Sequence, residues 1–154
     1  MANNKRKGSN AERDYAKRFR ELGFERCITS REGSKLYDNS GIDLLNIPFN
    51  LQIKAGVQRG INYSKELKYI RDQINSNFDA TELVHKRPII LVHKKPKLES
   101  KRERGEYDEL VVMSWIDFEK HFIPHFKQSE NATASTTIQQ QPSNQSEQIE
   151  ETIG

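Results

Sequence analysis

Asp43 stands in an otherwise apolar stretch, Ile42-Asp43-Leu44-Leu45-Asn46-Ile47, and Gln52-Ile53-Lys54 follows nine residues later in a second one. A carboxylate at a sheet position is costly to desolvate unless it is paired or binds a metal. Two arrangements relieve that cost. One is an ion pair between Asp43 and Lys54 across neighbouring strands. The other is a bound hard cation, for which Asp43 offers a carboxylate and Gln52 a neutral carbonyl oxygen.

The elements that would position these residues are readable from periodicity. Ala11, Tyr15, Phe19 and Leu22 recur at helical spacing, and Gly23 makes a good stop, which predicts a helix over about 10–22. Ser9-Asn10-Ala11-Glu12 at its start reads as a capping box. Arg26 to Ser30 reads as a short strand, REGSKLYDNSG as a polar loop, and Ile42 to Ile47 as a second strand. Pro48-Phe49-Asn50 turns the chain into a third strand, Leu51 to Ala55, expected antiparallel to the second because the connection is short. Gln52 and Lys54 then share one face of it. Leu67, Ile70, Ile74 and Phe78 mark an amphipathic helix that Ser64 could cap. The unbroken run Pro88-Ile89-Ile90-Leu91-Val92 suits a strand covered on both faces. Leu110 to Met113 is a fifth strand, and Ser114-Trp115-Ile116-Asp117 opens a last helix, with Trp115 and the following Phe residues read as core. The predicted order is α-β-β-β-α-β-β-α, a mixed sheet flanked by helices in an α/β fold.

Composition limits what such a domain does. Among 154 residues there are 25 Lys and Arg against 22 Asp and Glu, a net charge of +3. Residues 128–154, rich in Ser, Thr, Gln and Asn, carry four of those acids and no Lys or Arg, which leaves residues 1–127 at +7. The sequence therefore divides into a basic domain over 1–127 and a polar, acidic tail over 128–154 expected to be disordered. A basic domain favours polyanionic partners. Cys27 is the single cysteine, which excludes an intramolecular disulfide and a multi-cysteine zinc site. No stretch reaches the ~20 apolar residues of a membrane span, so a soluble, cytoplasmic protein is expected. His85, His93, His121 and His125 lack a third ligand at suitable spacing and read as surface or packing residues. The charged segment Lys94 to Asp108 mixes Lys and Arg with Glu and reads as an exposed loop or hairpin tip.

With Asp43, then Gln52-x-Lys54 on the next strand, then the preceding helix, the chain resembles the core of the PD-(D/E)XK nucleases. Lys7-Gly8-x-x-Ala11-Glu12-Arg13 with Leu22-Gly23-Phe24 is similar to the opening helix of archaeal-type Holliday-junction resolvases, and Arg31-Glu32-Gly33-Ser34-Lys35 to the loop before their acidic strand. The resemblance covers roughly residues 5–94. One position departs from it: the family has Glu where this chain has Gln52, a variant that looks like that of Mrr-type restriction endonucleases.

The resemblance implies a restriction-endonuclease-like fold that hydrolyses DNA phosphodiesters with Mg²⁺ or Mn²⁺, on a four-way junction, as a homodimer. It also implies roles. Asp43, Gln52, the Ile53 carbonyl and Glu12 would hold the metal, and Lys54 would orient the attacking water. Glu12 thus has two readings, helix cap or site ligand. Arg13, Arg31 and Ser34 would contact DNA phosphates, although a solvated charge is the commoner fate of a surface Arg. Two rivals stand beside this expectation: an Mrr-like or nicking endonuclease on duplex DNA, and a non-catalytic DNA-binding module on the same fold.

Overall fold

Helix α1 covers Ala2–Glu21 and so begins well before the predicted start. The structure is a computed structural model that describes residues 2–55, 60–95 and 108–128. Because Ser9 lies inside α1, there is no helix start at Ser9 for its hydroxyl to cap, and the capping-box reading of Glu12 falls. Ala11, Tyr15 and Ala16 form the buried stripe. Leu22 does not belong to it: it follows the helix end and is 73% exposed. Phe19 instead meets Phe24 and Phe49, with ring centroids 5.9 and 5.7 Å away. Gly23 adopts φ +100°, and the Phe24 N–H donates back to the Phe19 carbonyl at 3.0 Å, closing the helix.

Strand β1, Ile28–Thr29, pairs antiparallel with β2, Leu44–Leu45. The segment between them is not the polar loop expected. It folds into two short helices, α2 over Ser30–Gly33 and α3 over Lys35–Asn39. Their polar composition hides one anchor, Tyr37, whose ring packs edge-on against Phe78 at 4.8 Å.

Strand β3, Asn50–Ala55, runs parallel to β4, Ile89–Lys94, in a register that sets Lys54 beside His93. Strand β5, Glu109–Val112, adds antiparallel to β4. A parallel pair needs a crossover, and helix α4, Tyr63–Asn77, lies within it. Asn62 caps this helix through an Oδ1 bond from the Lys65 N–H at 3.0 Å, so the cap is Asn62 and not Ser64. One face of α4 packs Ile70, Ile74 and the following Phe78 with Ile42, Val84 and Ile89 into the core. Asn50 fastens the start of β3 by donating from Nδ2 to the Val84 carbonyl at 2.8 Å, in the 3-10 turn Leu83–Lys86. The run Ile89–Val92 is buried throughout, as an unbroken apolar strand requires.

The last helix, α5, covers Trp115–His121 and is capped by Ser114, whose Oγ accepts from the Asp117 N–H at 3.1 Å. Trp115 is 70% exposed, against its core assignment, while Asp117 is buried where it accepts from Arg71. The chain divides into two units, Met1–Phe118 and Glu119–Gly154; in the second, residues 123–128 are helical.

The fold is thus a mixed α/β arrangement whose main elements follow the predicted order, with two short helices added. Among the described residues, the expected single sheet is instead a two-stranded and a three-stranded sheet. The antiparallel ladder expected between the second and third strands reduces to one backbone bond, Asp43 N–H to the Leu51 carbonyl at 2.7 Å. Most of the charged loop and the tail beyond residue 128 lie outside the described residues.

Candidate active site

Asp43 sits where the two sheets meet. Its N–H donates to the Leu51 carbonyl of β3, and its carbonyl accepts from the Ser30 N–H at 2.8 Å, at the end of β1. With the backbone held at both ends, the carboxylate reaches β3 itself: Oδ2 accepts from the Ile53 N–H at 2.6 Å. The acid is thereby fixed beside the residue between Gln52 and Lys54. Burial pushes the Asp43 carboxyl up to about 7, with Glu12 and Asp38 adding to the rise while the Ile53 N–H and Lys54 oppose it.

Glu12 comes in from α1 and is only 4% exposed. Arg31, on α2, holds it: Nη2 donates to Oε1 at 3.0 Å and Nε stands 2.9 Å from Oε2. The second contact is an ion pair without hydrogen-bond geometry, so Oε2 keeps no hydrogen-bond partner. Burial, with Asp38 adding to it, holds the Glu12 pKa above its ordinary value although Arg31 opposes the rise. Arg31 also lies 3.6 Å from Asp38 Oδ1 on α3. In sequence Asp38 belongs to a polar stretch, and its place beside Arg31 depends on α3, which the hydropathy of the segment does not show.

Gln52 is 7% exposed, and its Oε1 has no hydrogen-bond partner. Gly41 makes room for this amide: a Cβ there would stand 3.0 Å from Gln52 Nε2, and the backbone at Gly41 has φ +76°. Lys54 Nζ pairs with Glu66 Oε2 on α4 at 2.9 Å. Glu66 was not foreseen; it flanks the apolar stripe of α4, where sequence shows a charge but not its partner. Beside Lys54 in the register, His93 is buried and its Nδ1 meets the Tyr63 hydroxyl at 2.8 Å. Burial, with Lys95 nearby, lowers the His93 pKa, so this neighbour adds no second positive charge. Arg13 is exposed on α1, and Ser34 is half-buried at the junction of α2 and α3.

Asp43, Ile53 and Glu12 are therefore brought into one electrostatic neighbourhood with Lys54, and Arg31 is tied to Glu12. The donor types fit a hard divalent cation: the buried carboxylate of Glu12, the half-buried one of Asp43 and a buried amide oxygen left without a partner. Among the described residues no three His, Cys, Asp or Glu side chains already converge as a ready metal cluster. A groove of about 510 Å³ between α4 and the β5–α5 connection, lined by Tyr63, Arg71 and Trp115 among others, includes none of Asp43, Gln52 or Lys54. Among the described residues no helix is long and apolar enough to cross a membrane. Comparison with family models, with curated proteins and with solved structures gives no match for this chain.

Proposed function

We propose that this chain is a metal-dependent DNA endonuclease of the PD-(D/E)XK type on a restriction-endonuclease-like core, cutting four-way junctions as a homodimer. The observation that carries the reading is the attachment of the Asp43 carboxylate to the Ile53 N–H. That bond brings the acid of the motif to the middle of Gln-x-Lys, the juxtaposition on which a site built from these two segments would depend.

Asp43, Glu12 and Gln52 would hold Mg²⁺ or Mn²⁺, with the Ile53 carbonyl as a further candidate ligand. When bound, such a metal polarises the phosphate and lowers the pKa of a coordinated water. Lys54 places a fixed positive charge beside the acid, where it offsets the negative charge that develops on the phosphate in the transition state. Glu66 holds that ammonium in place. Arg13, Arg31 and Ser34 would take phosphates of the DNA backbone. Two symmetric cuts in a four-way junction call for a two-fold dimer.

Two observations favour a competing reading, a DNA-binding module without catalysis: Gln52 contributes no charge to the metal ligands, and Lys54 already has a partner in Glu66. A panel of synthetic four-way junction, matched duplex and single strand, each with and without Mg²⁺ or Mn²⁺, separates the readings. The proposal predicts metal-dependent cleavage of the junction in preference to the duplex. Equal cleavage of duplex would favour an Mrr-like or nicking enzyme, and binding without any cleavage would favour the non-catalytic module.

A further inference from the structure

We infer that Arg31 is an exchangeable counter-ion: its guanidinium pairs with Glu12 and Asp38 in the metal-free protein and passes to a DNA phosphate when a divalent cation takes over Glu12. The inference rests on the nuclease reading above and adds a coupling between metal and DNA that the reading does not contain.

Arg31 bridges two acids from different elements, Glu12 of α1 and Asp38 of α3. Both also act on Asp43, so the guanidinium compensates the acidic side of the candidate metal site. The pair is unequal in burial. The Glu12 side chain is 6% exposed and that of Arg31 39%, so the acid is fixed in the interior while the cation reaches solvent. An uncompensated buried carboxylate is costly, which explains why Glu12 holds a cation in the free protein. Yet the fit is incomplete: Oε2 faces Nε without a hydrogen bond, and Gln52 Oε1 is buried without a partner. A divalent cation offers Glu12 two charges, whereas Arg31 offers one and leaves Oε2 without a hydrogen bond.

Release has a direction. A freed guanidinium near solvent carries a planar fork of donors suited to phosphate. Metal and DNA then favour the same state of the protein, and by linkage each tightens the binding of the other. In the metal-free state Arg31 is withheld from DNA.

The test uses Arg31→Gln in the full-length chain, with Ca²⁺ as a probe for DNA binding under conditions in which no cleavage is detected, and Mn²⁺ titrated calorimetrically without DNA. Exchange predicts that Arg31→Gln binds Mn²⁺ about tenfold more tightly than the wild type, because the competing cation is gone. It also predicts that Ca²⁺ tightens wild-type binding to a four-way junction by about tenfold and that the variant loses this gain. A purely structural Arg31 predicts weaker metal binding instead. If Arg31→Gln does not fold, Arg31→Lys carries the test: it keeps the charge without the fork, and the Ca²⁺-dependent gain should shrink. A folded variant with unchanged or weaker Mn²⁺ affinity, or with the full Ca²⁺ gain, overturns the exchange and leaves the nuclease reading standing. Absence of Mn²⁺ binding by the wild type and both variants would overturn the nuclease reading and the exchange with it.

Discussion

At Asp43, burial and the nearby acids push the carboxyl from 3.8 to about 7. Raising an acid's pKa on folding means that the folded state holds a proton which the unfolded chain releases from about pH 4 upward. The associated stability is therefore complete below 3.8 and is lost as the pH rises to about 7. Urea unfolding from pH 4 to 8 should show the wild type losing stability across this window relative to Asp43→Asn, which has no proton to lose. Parallel curves would show that Asp43 is not so placed. Because the same proton competes with a cation, metal affinity should climb up to about pH 7 and level off above it.

Gln52 tests the one departure from the nuclease motif. Its unpartnered Oε1 is buried, so Gln52→Glu places an unpaired charge there. Without metal the variant should lose about 1–3 kcal/mol of stability. With Mg²⁺ it should recover, and half-maximal cleavage should occur at lower metal concentration, since hard cations favour charged oxygen. Thermal melts with and without Mg²⁺ beside a metal titration of cleavage decide the matter. A lower melting temperature that Mg²⁺ does not restore would remove Gln52 from the ligand set.

Among the elements, β3, which carries Gln52-x-Lys54, was legible from its alternating apolar and polar residues, whereas the strand expected over Ile42 to Ile47 shortens to Leu44–Leu45 and leaves Asp43 just before it. Helix α4 was legible too, because its buried Ile70 and Ile74 sit at helical spacing. What was not legible depends on distant partners. Helix α1 begins at Ala2 through residues that carry no apolar stripe, so Glu12 could not be told from a cap. Helices α2 and α3 place Arg31 and Asp38 beside Glu12, but their sequence is polar and their anchor, Tyr37, needs Phe78 from beyond α4. The division into two sheets was hidden too: Asp43 uses its N–H toward Leu51 and its carbonyl toward Ser30, joining β1 and β3 where a ladder from β2 was expected.

Gly41 belongs to this scale because it precedes Asp43 and leaves space for Gln52. With φ +76° and a Cβ position 3.0 Å from Gln52 Nε2, Gly41→Ala is strained and crowds the amide. The left-handed backbone alone should cost about 1–2 kcal/mol. We expect a lower melting temperature and reduced cleavage with DNA binding in metal-free buffer retained. Unchanged stability and activity would mean that the close approach does not position Gln52.

Over the whole molecule, charge is distributed so that residues 1–127 carry +7 while the remaining residues carry only acids. A field of that sign favours polyanions, and the proposed DNA binding through it should weaken as salt rises. It does not distinguish a nuclease from a binding module, because both need the same field. On the proposed reading the distinction lies in Asp43 and Lys54, which would contribute to chemistry more than to backbone contact. The most direct measurement compares wild type, Asp43→Asn and Lys54→Ala for cleavage of a four-way junction in Mg²⁺ or Mn²⁺, with folding verified and DNA affinity measured in metal-free buffer. Each variant should lose cleavage by a factor of about 10²–10³ or more while binding DNA as well as the wild type. Wild-type cleavage rates in both folded variants would contradict the account.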